Sequence, residues 1–172
     1  MSLAGSYRKS LREKVPSSRC DLSFTGICGG VEELLTVVAD PNNRRVPEIG
    51  FALIQKGNSG HVGLLGLSNG GFLAVGTGAI DQRIGALVVF YGGIARPIRG
   101  EITRLPPLLE LHGDADRTIP ITQGRALVDR AKALGGEAEQ IVYPGAGHGF
   151  GPTSDDARGH AVDFLRHQLN AD

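Results

Sequence analysis

A serine at position 68 stands in the run Gly66-Leu67-Ser68-Asn69-Gly70-Gly71, between the apolar stretch Val62 to Leu65 and a segment with helical spacing. A G-x-S-x-G turn between strand and helix holds its serine in a strained backbone conformation, and glycine is needed where side chains would strike the adjoining elements. The strain lifts the Ser68 hydroxyl clear of the sheet. It also aims the backbone N–H of Asn69 and the helix N-terminus at one spot, where a tetrahedral oxyanion can be held. The chemistry this arrangement serves is nucleophilic attack on an acyl carbon. A glycine-rich turn with an incidental serine is the competing explanation, and the partners of the serine decide between them.

A serine hydroxyl is a poor nucleophile near neutral pH, so it needs a base and a third group that fixes the base in the correct tautomer. The chain offers five histidines. His61 opens a strand, and His160 and His167 fall on the last helix, where solvated positions are the ordinary outcome. His112 ends a strand and is placed to line a pocket. His148 alone lies in a glycine-rich loop after a strand, Pro144-Gly145-Ala146-Gly147-His148-Gly149-Phe150-Gly151, free to swing over the sheet's carboxyl edge; it is the expected base. For the orienting acid, the loop His112-Gly113-Asp114-Ala115-Asp116-Arg117-Thr118-Ile119-Pro120 offers two carboxylates. Asp116 is preferred, because Asp114 beside Gly113 suits the turn-stabilising role of Asp side chains.

These loops need a scaffold. Short apolar runs read as buried strands at His61 to Gly66, Gly85 to Tyr91, Pro107 to His112 and Glu139 to Tyr143. Val46, Ile49, Leu53 and Ile54 have the spacing of a helix ahead of the first strand, and Asn69 to Thr77 read as the helix after it. Ala126, Leu127, Ala131 and Leu134 mark a further helix, with Pro120 just ahead of it and Gly135 to end it in the left-handed region. The last helix starts near Thr153 or Ser154 and carries Ala157, Ala161, Phe164, Leu165 and Leu169. Regular alternation of strand and helix predicts an α/β domain over residues 21–172: a three-layer α/β/α arrangement around a mostly parallel sheet, with crossovers placing helices on both faces. Residues 1–20 carry Arg8, Lys9, Arg12, Lys14 and Arg19 against Glu13 alone, and read as a basic, weakly structured arm. Asp21 to Gly30 reads as a strand ending in a glycine turn, followed by a helix over Val31 to Ala39 that Pro41 stops.

Taken together, the residues from about Gly60 to Leu169 resemble the carboxyl-terminal two-thirds of an α/β-hydrolase, most closely the dienelactone hydrolase-like group. Four motifs carry the resemblance: Gly66-Leu67-Ser68-Asn69-Gly70-Gly71, Phe90-Tyr91-Gly92-Gly93, Leu111-His112-Gly113-Asp114-Ala115-Asp116 with Ile119-Pro120, and Tyr143-Pro144-Gly145-Ala146-Gly147-His148-Gly149-Phe150. The chain order Ser68, Asp116, His148 is also that of an α/β-hydrolase. The resemblance implies Ser68 as nucleophile, His148 as base and Asp116 as its partner, hydrolysing an ester, lactone or thioester without metal or cofactor. Dienelactone hydrolases proper use cysteine at the elbow, so the serine here implies a carboxylesterase-like activity instead. Members of the group also carry more strands ahead of the elbow, so the fold is expected to be reduced on its amino-terminal side. One of those strands ends in a His-Gly turn that supplies a second oxyanion N–H. Phe24-Thr25-Gly26-Ile27-Cys28-Gly29-Gly30 would be its divergent counterpart, with Ile27 or Cys28 as the donor and Thr25 in place of the histidine.

Composition narrows the alternatives. In 172 residues, 18 Lys and Arg balance 18 Asp and Glu, so no global field draws the molecule to nucleic acid or an anionic membrane. The absence of tryptophan, with aromatics at 5%, argues against a stacking platform for single strands. Two cysteines, Cys20 and Cys28, are too few for a disulfide framework. With no signal-peptide pattern or apolar spanning run, a cytoplasmic location is expected. No C-x-x-C pair, H-E-x-x-H helix, Walker loop or paired-carboxylate pattern supports a zinc, nucleotide or glycosidase function. The expected partner is a small-molecule ester. The rival reading is a truncated or degenerate hydrolase serving as an interaction domain, with a second copy covering an exposed sheet edge.

Overall fold

The computed structural model describes residues 52–56 and 61–169. Among these residues five strands form one sheet in chain order: β1 (Ala52–Lys56), β2 (Val62–Leu67), β3 (Ile84–Phe90), β4 (Leu108–Gly113) and β5 (Ala138–Tyr143). The four strands from β2 to β5 are parallel, each within one or two residues of its expected bounds. Among the described residues, three α-helices accompany them: α1 (Asn69–Ile80), α2 (Thr122–Ala133) and α3 (Ser154–Leu169). Gly135, at φ 79°, follows the end of α2 as expected. The proposed arm over residues 1–20 and the strand, turn and helix read between Asp21 and Ala39 lie outside the described residues.

One element departs from the sequence reading. Leu53 and Ile54 belong to β1, which pairs antiparallel with β2, Ala52 opposite Gly66 and Lys56 opposite Val62; Val46 and Ile49 lie outside the described residues. An apolar run this short fits a strand or a helix equally well by periodicity. The outer edge of β2 decides the matter, because its backbone groups need ladder partners that only an extended segment can supply.

Alternation along the strands separates two cores. Leu64, Leu87, Val89 and Leu108 face α1 and α2, packing on Val75, Leu127, Val128 and Ala131. Leu65, Val88, Leu109 and Leu111 face the opposite way, onto Ala157, Ala161, Leu165 and Leu169 of α3. Those four α3 residues recur every fourth position, one buried stripe of an amphipathic helix. The crossovers do not place helices on both faces as expected: strand order follows chain order, so crossovers of a single hand all fall on one face. The connection from β3 to β4 contributes Ile94, Ile102 and Leu105 to the same core as α1 and α2. The second face is closed by α3, which follows the last strand.

Gly66, just ahead of the joint between β2 and α1, has no room for a side chain. A Cβ on Gly66 would lie 2.6 Å from the carbonyl carbon of Gly70 and 2.8 Å from the Ala74 Cβ. Gly66→Ala must therefore push the first turn of α1 off the sheet. We expect a loss of about 1–3 kcal/mol in unfolding free energy, read from the denaturant midpoint.

Candidate active site

The site assembles at the carboxyl ends of β2, β3, β4 and β5. Ser68 follows β2 directly and adopts φ 53° and ψ −122°, a conformation that glycine populates and other residues avoid. Two hydrogen bonds lock it: Ser68 N–H donates to the Phe90 carbonyl (2.9 Å), and Gly71 N–H donates to the Ser68 carbonyl (2.9 Å). Asn69 is the first residue of α1, so its N–H belongs to the helix's free N-terminal turn.

The loops after β4 and β5 are laced to each other. Asp114 N–H donates to the Tyr143 carbonyl (3.2 Å), Ala115 N–H to the Ala146 carbonyl (3.0 Å), and Gly145 N–H to Asp114 Oδ1 (2.6 Å). Asp114 thus has the turn-stabilising role expected of it, extended across two loops. Asp116 Oδ1 accepts from Thr118 N–H (2.8 Å) and Ile119 N–H (3.0 Å), leaving Oδ2 free to face His148.

The structure brings Ser68, His148 and Asp116 into one chain. His148 Nε2 lies 3.0 Å from Ser68 Oγ, and His148 Nδ1 lies 2.7 Å from Asp116 Oδ2. An ionised carboxylate only accepts, so Nδ1 carries the hydrogen and the Nε2 lone pair faces the serine hydroxyl. Burial of Asp116 by itself would raise its pKa. The His148 hydrogen bond and the two backbone N–H donors outweigh that and hold the carboxyl below its ordinary range. His148 retains 19% side-chain exposure while the Asp116 side chain has none, so solvent reaches the three side chains from the serine end.

Sequence reading missed the aromatic wall behind the histidine. The Tyr91 ring packs on His148 with centroids 4.4 Å apart, and Phe150 packs on Tyr91 at 5.0 Å. Among the described residues, Ser68, Tyr91 and Phe150 are the non-glycine residues with positive φ, at 53°, 41° and 62°. Each such conformation costs about 1–3 kcal/mol and persists only where surrounding packing imposes it. Both aromatic residues stand inside the motifs quoted above, but nothing in their local sequence announces a left-handed backbone. His112 does not line a pocket: it is fully buried, with its ring between Glu110 and the Ile119 carbonyl. His61, His160 and His167 are exposed. Ile27 and Cys28 lie outside the described residues. Among the described residues no group of His, Cys, Asp and Glu converges as a metal-ligand set, and no helix is long and apolar enough to cross a membrane.

Known proteins share this arrangement of elements. The esterase PE8 is 30% identical with a TM-score of 0.53 over 61% of this chain and 49% of its own. A putative dienelactone hydrolase from Klebsiella pneumoniae subsp. pneumoniae MGH 78578 is 23% identical with a TM-score of 0.51 over 59% of this chain and 50% of its own, a likeness of fold. The esterase LipC of Mycobacterium tuberculosis (strain ATCC 25618 / H37Rv) is 36% identical over 87 residues, 44% of this chain and 20% of LipC. The chain therefore spans about half the length of PE8 and a fifth of LipC. A sequence model of the dienelactone hydrolase family matches residues 36–167, through the elbow, both laced loops and most of α3. With that match covering well over half of its length, the chain belongs to the dienelactone hydrolase family.

Proposed function

We propose that the chain is a serine hydrolase that cleaves a small carboxylic ester, lactone or thioester through an acyl-enzyme on Ser68. One observation carries this reading: a serine hydroxyl, held by a strained elbow, lies 3.0 Å from the ring nitrogen of a histidine whose other nitrogen is 2.7 Å from a buried aspartate. In the proposed reaction Ser68 Oγ attacks the carbonyl carbon as its proton passes to His148 Nε2, and Asp116 stabilises the imidazolium. The carbonyl oxygen gains negative charge and is held by Asn69 N–H at the positive end of α1. Collapse of the tetrahedral intermediate breaks the bond to the leaving group, which takes the proton from His148. Water then repeats the sequence on the acyl-serine. The relatives named esterases, and a serine where dienelactone hydrolysis uses cysteine, support a carboxylesterase-like substrate.

The test is covalent. A fluorophosphonate probe is expected to label the folded protein at one residue, with the adduct mapping to Ser68 and disappearing in Ser68→Ala. A folded protein that leaves Ser68 unmodified would overturn the reading.

A further inference from the structure

We propose that Glu110 and His112 form a second, buried proton-sharing pair that holds Asp116 in place, making both of them positioning residues for the Ser68 relay. The inference rests on the hydrolase reading above.

Both residues belong to β4, two positions apart and so on one face of the strand, and both side chains are entirely buried. His112 Nδ1 lies 2.7 Å from Glu110 Oε1, and His112 Nε2 lies 2.9 Å from the Ile119 carbonyl oxygen. The remaining Glu110 oxygen, Oε2, accepts from Gln140 Nε2 of β5 at 2.7 Å. On the α2 side the carboxylate presses on Gly124, where a Cβ would lie 2.6 Å from Oε2. The carboxylate is therefore boxed in by β5 and α2.

Proton accounting fixes most of the state of the pair. A carbonyl only accepts, so Nε2 carries a hydrogen. A further proton must lie between Nδ1 and Oε1, since two bare acceptors would repel at 2.7 Å. The groups facing the ring are the Glu110 carboxylate, the Ile119 carbonyl and Asp116, whose Oδ2 is 3.5 Å from Nε2. Gln140 donates to the other Glu110 oxygen, which favours the ionised carboxylate, and with every group facing the ring then an acceptor the proton belongs on the ring. Burial alone would lower the His112 pKa, but the Glu110 hydrogen bond, the Ile119 carbonyl and the two carboxylate charges outweigh it and raise the ring above its usual value.

The grip on Asp116 is then twofold. Ile119 donates its N–H to Asp116 Oδ1 while its carbonyl is held by His112, so the histidine fixes the residue that fixes the aspartate. The His112 cation also shares Oδ2 with His148, from 3.5 Å against 2.7 Å. A buried ion pair adds little net stability over an apolar pair of the same shape. Positioning explains its presence better than stability does.

The deciding variant is Glu110→Gln, with p-nitrophenyl acetate as the probe. A glutamine amide can donate to Nδ1 and still accept from Gln140, leaving a neutral His112 whose Nε2–H serves Ile119 as before. The shape survives and the cation goes. We expect unchanged KM, a kcat about tenfold lower, and an acid limb of kcat/KM displaced to higher pH, because Asp116 no longer shares its charge with His112. Unchanged kcat and pH profile in a folded, active background would overturn the proposal. Should the variant fail to fold, nitrogen NMR of the wild-type histidines decides: both His112 ring nitrogens protonated at neutral pH supports the pair, and a bare one overturns it. A wild type that neither turns over ester nor accepts fluorophosphonate would instead refute the hydrolase reading itself.

Discussion

Ser68→Ala is expected to lower ester turnover by about 10⁴-fold or more while the melting temperature stays level. The hydroxyl's described partner is His148 Nε2, at 3.0 Å and within reach of solvent, so its removal deletes the proposed nucleophile without opening a buried cavity. The backbone makes a sharper expectation available. At φ 53° and ψ −122° a side chain of any kind is strained, alanine as much as serine. Ser68→Gly relieves that strain of about 1–3 kcal/mol and returns part of it through the greater freedom of glycine in the unfolded chain. A net gain near 1 kcal/mol should appear as a higher melting temperature in a variant with no turnover. Retained activity in Ser68→Ala would remove the serine from the mechanism. A melting temperature lowered by Ser68→Gly would show that the elbow stores no strain.

Asp116→Asn is the second large effect, and the hydrogen bonds around the carboxylate dictate how it arises. Thr118 and Ile119 both donate backbone N–H groups to Oδ1, at 2.8 and 3.0 Å. An asparagine must turn its carbonyl oxygen toward them, so its amide nitrogen occupies the place of Oδ2 and donates to His148 Nδ1. The imidazole is forced to carry its hydrogen on Nε2, where it meets Ser68 Oγ as a donor and cannot take the serine's proton. A fall in kcat of about 10⁴-fold is expected with the fold intact. The same variant reports on stability. The Asp116 carboxyl titrates below its ordinary 3.8 in the folded state. Its contribution is therefore complete above that value and disappears as pH falls through the depressed one. Thermal melts should show the wild type's advantage over Asp116→Asn shrinking as pH falls below the ordinary carboxylate range, because the folded carboxyl resists protonation there and the unfolded one does not.

Much of this site was legible without coordinates. The Gly66 to Gly71 turn is a local event: a strand that must enter a helix within one residue needs glycines at fixed offsets, and these are visible in the chain. The loops carrying Asp116 and His148 were equally readable, because each follows a run of buried apolar residues and the carboxyl ends of parallel strands share one edge. The helix face of α3 followed from its four-residue spacing. β1 did not, since a short apolar run carries no periodicity that separates strand from helix, and the ladder offered by β2 settled it.

What the sequence by itself determined, then, was which residues stand at strand ends and in what order they come. Only the tertiary structure decided which of them meet. Position 68 reaches position 148 because β2 to β5 lie side by side in register and two loops are stitched together by three hydrogen bonds, all of them between residues remote in the chain. The same long-range packing turned His112 inward onto Glu110 and imposed left-handed backbone on Tyr91 and Phe150. Local propensity opposes such conformations, and the energy that overrides it comes from burial, which no single stretch of sequence contains.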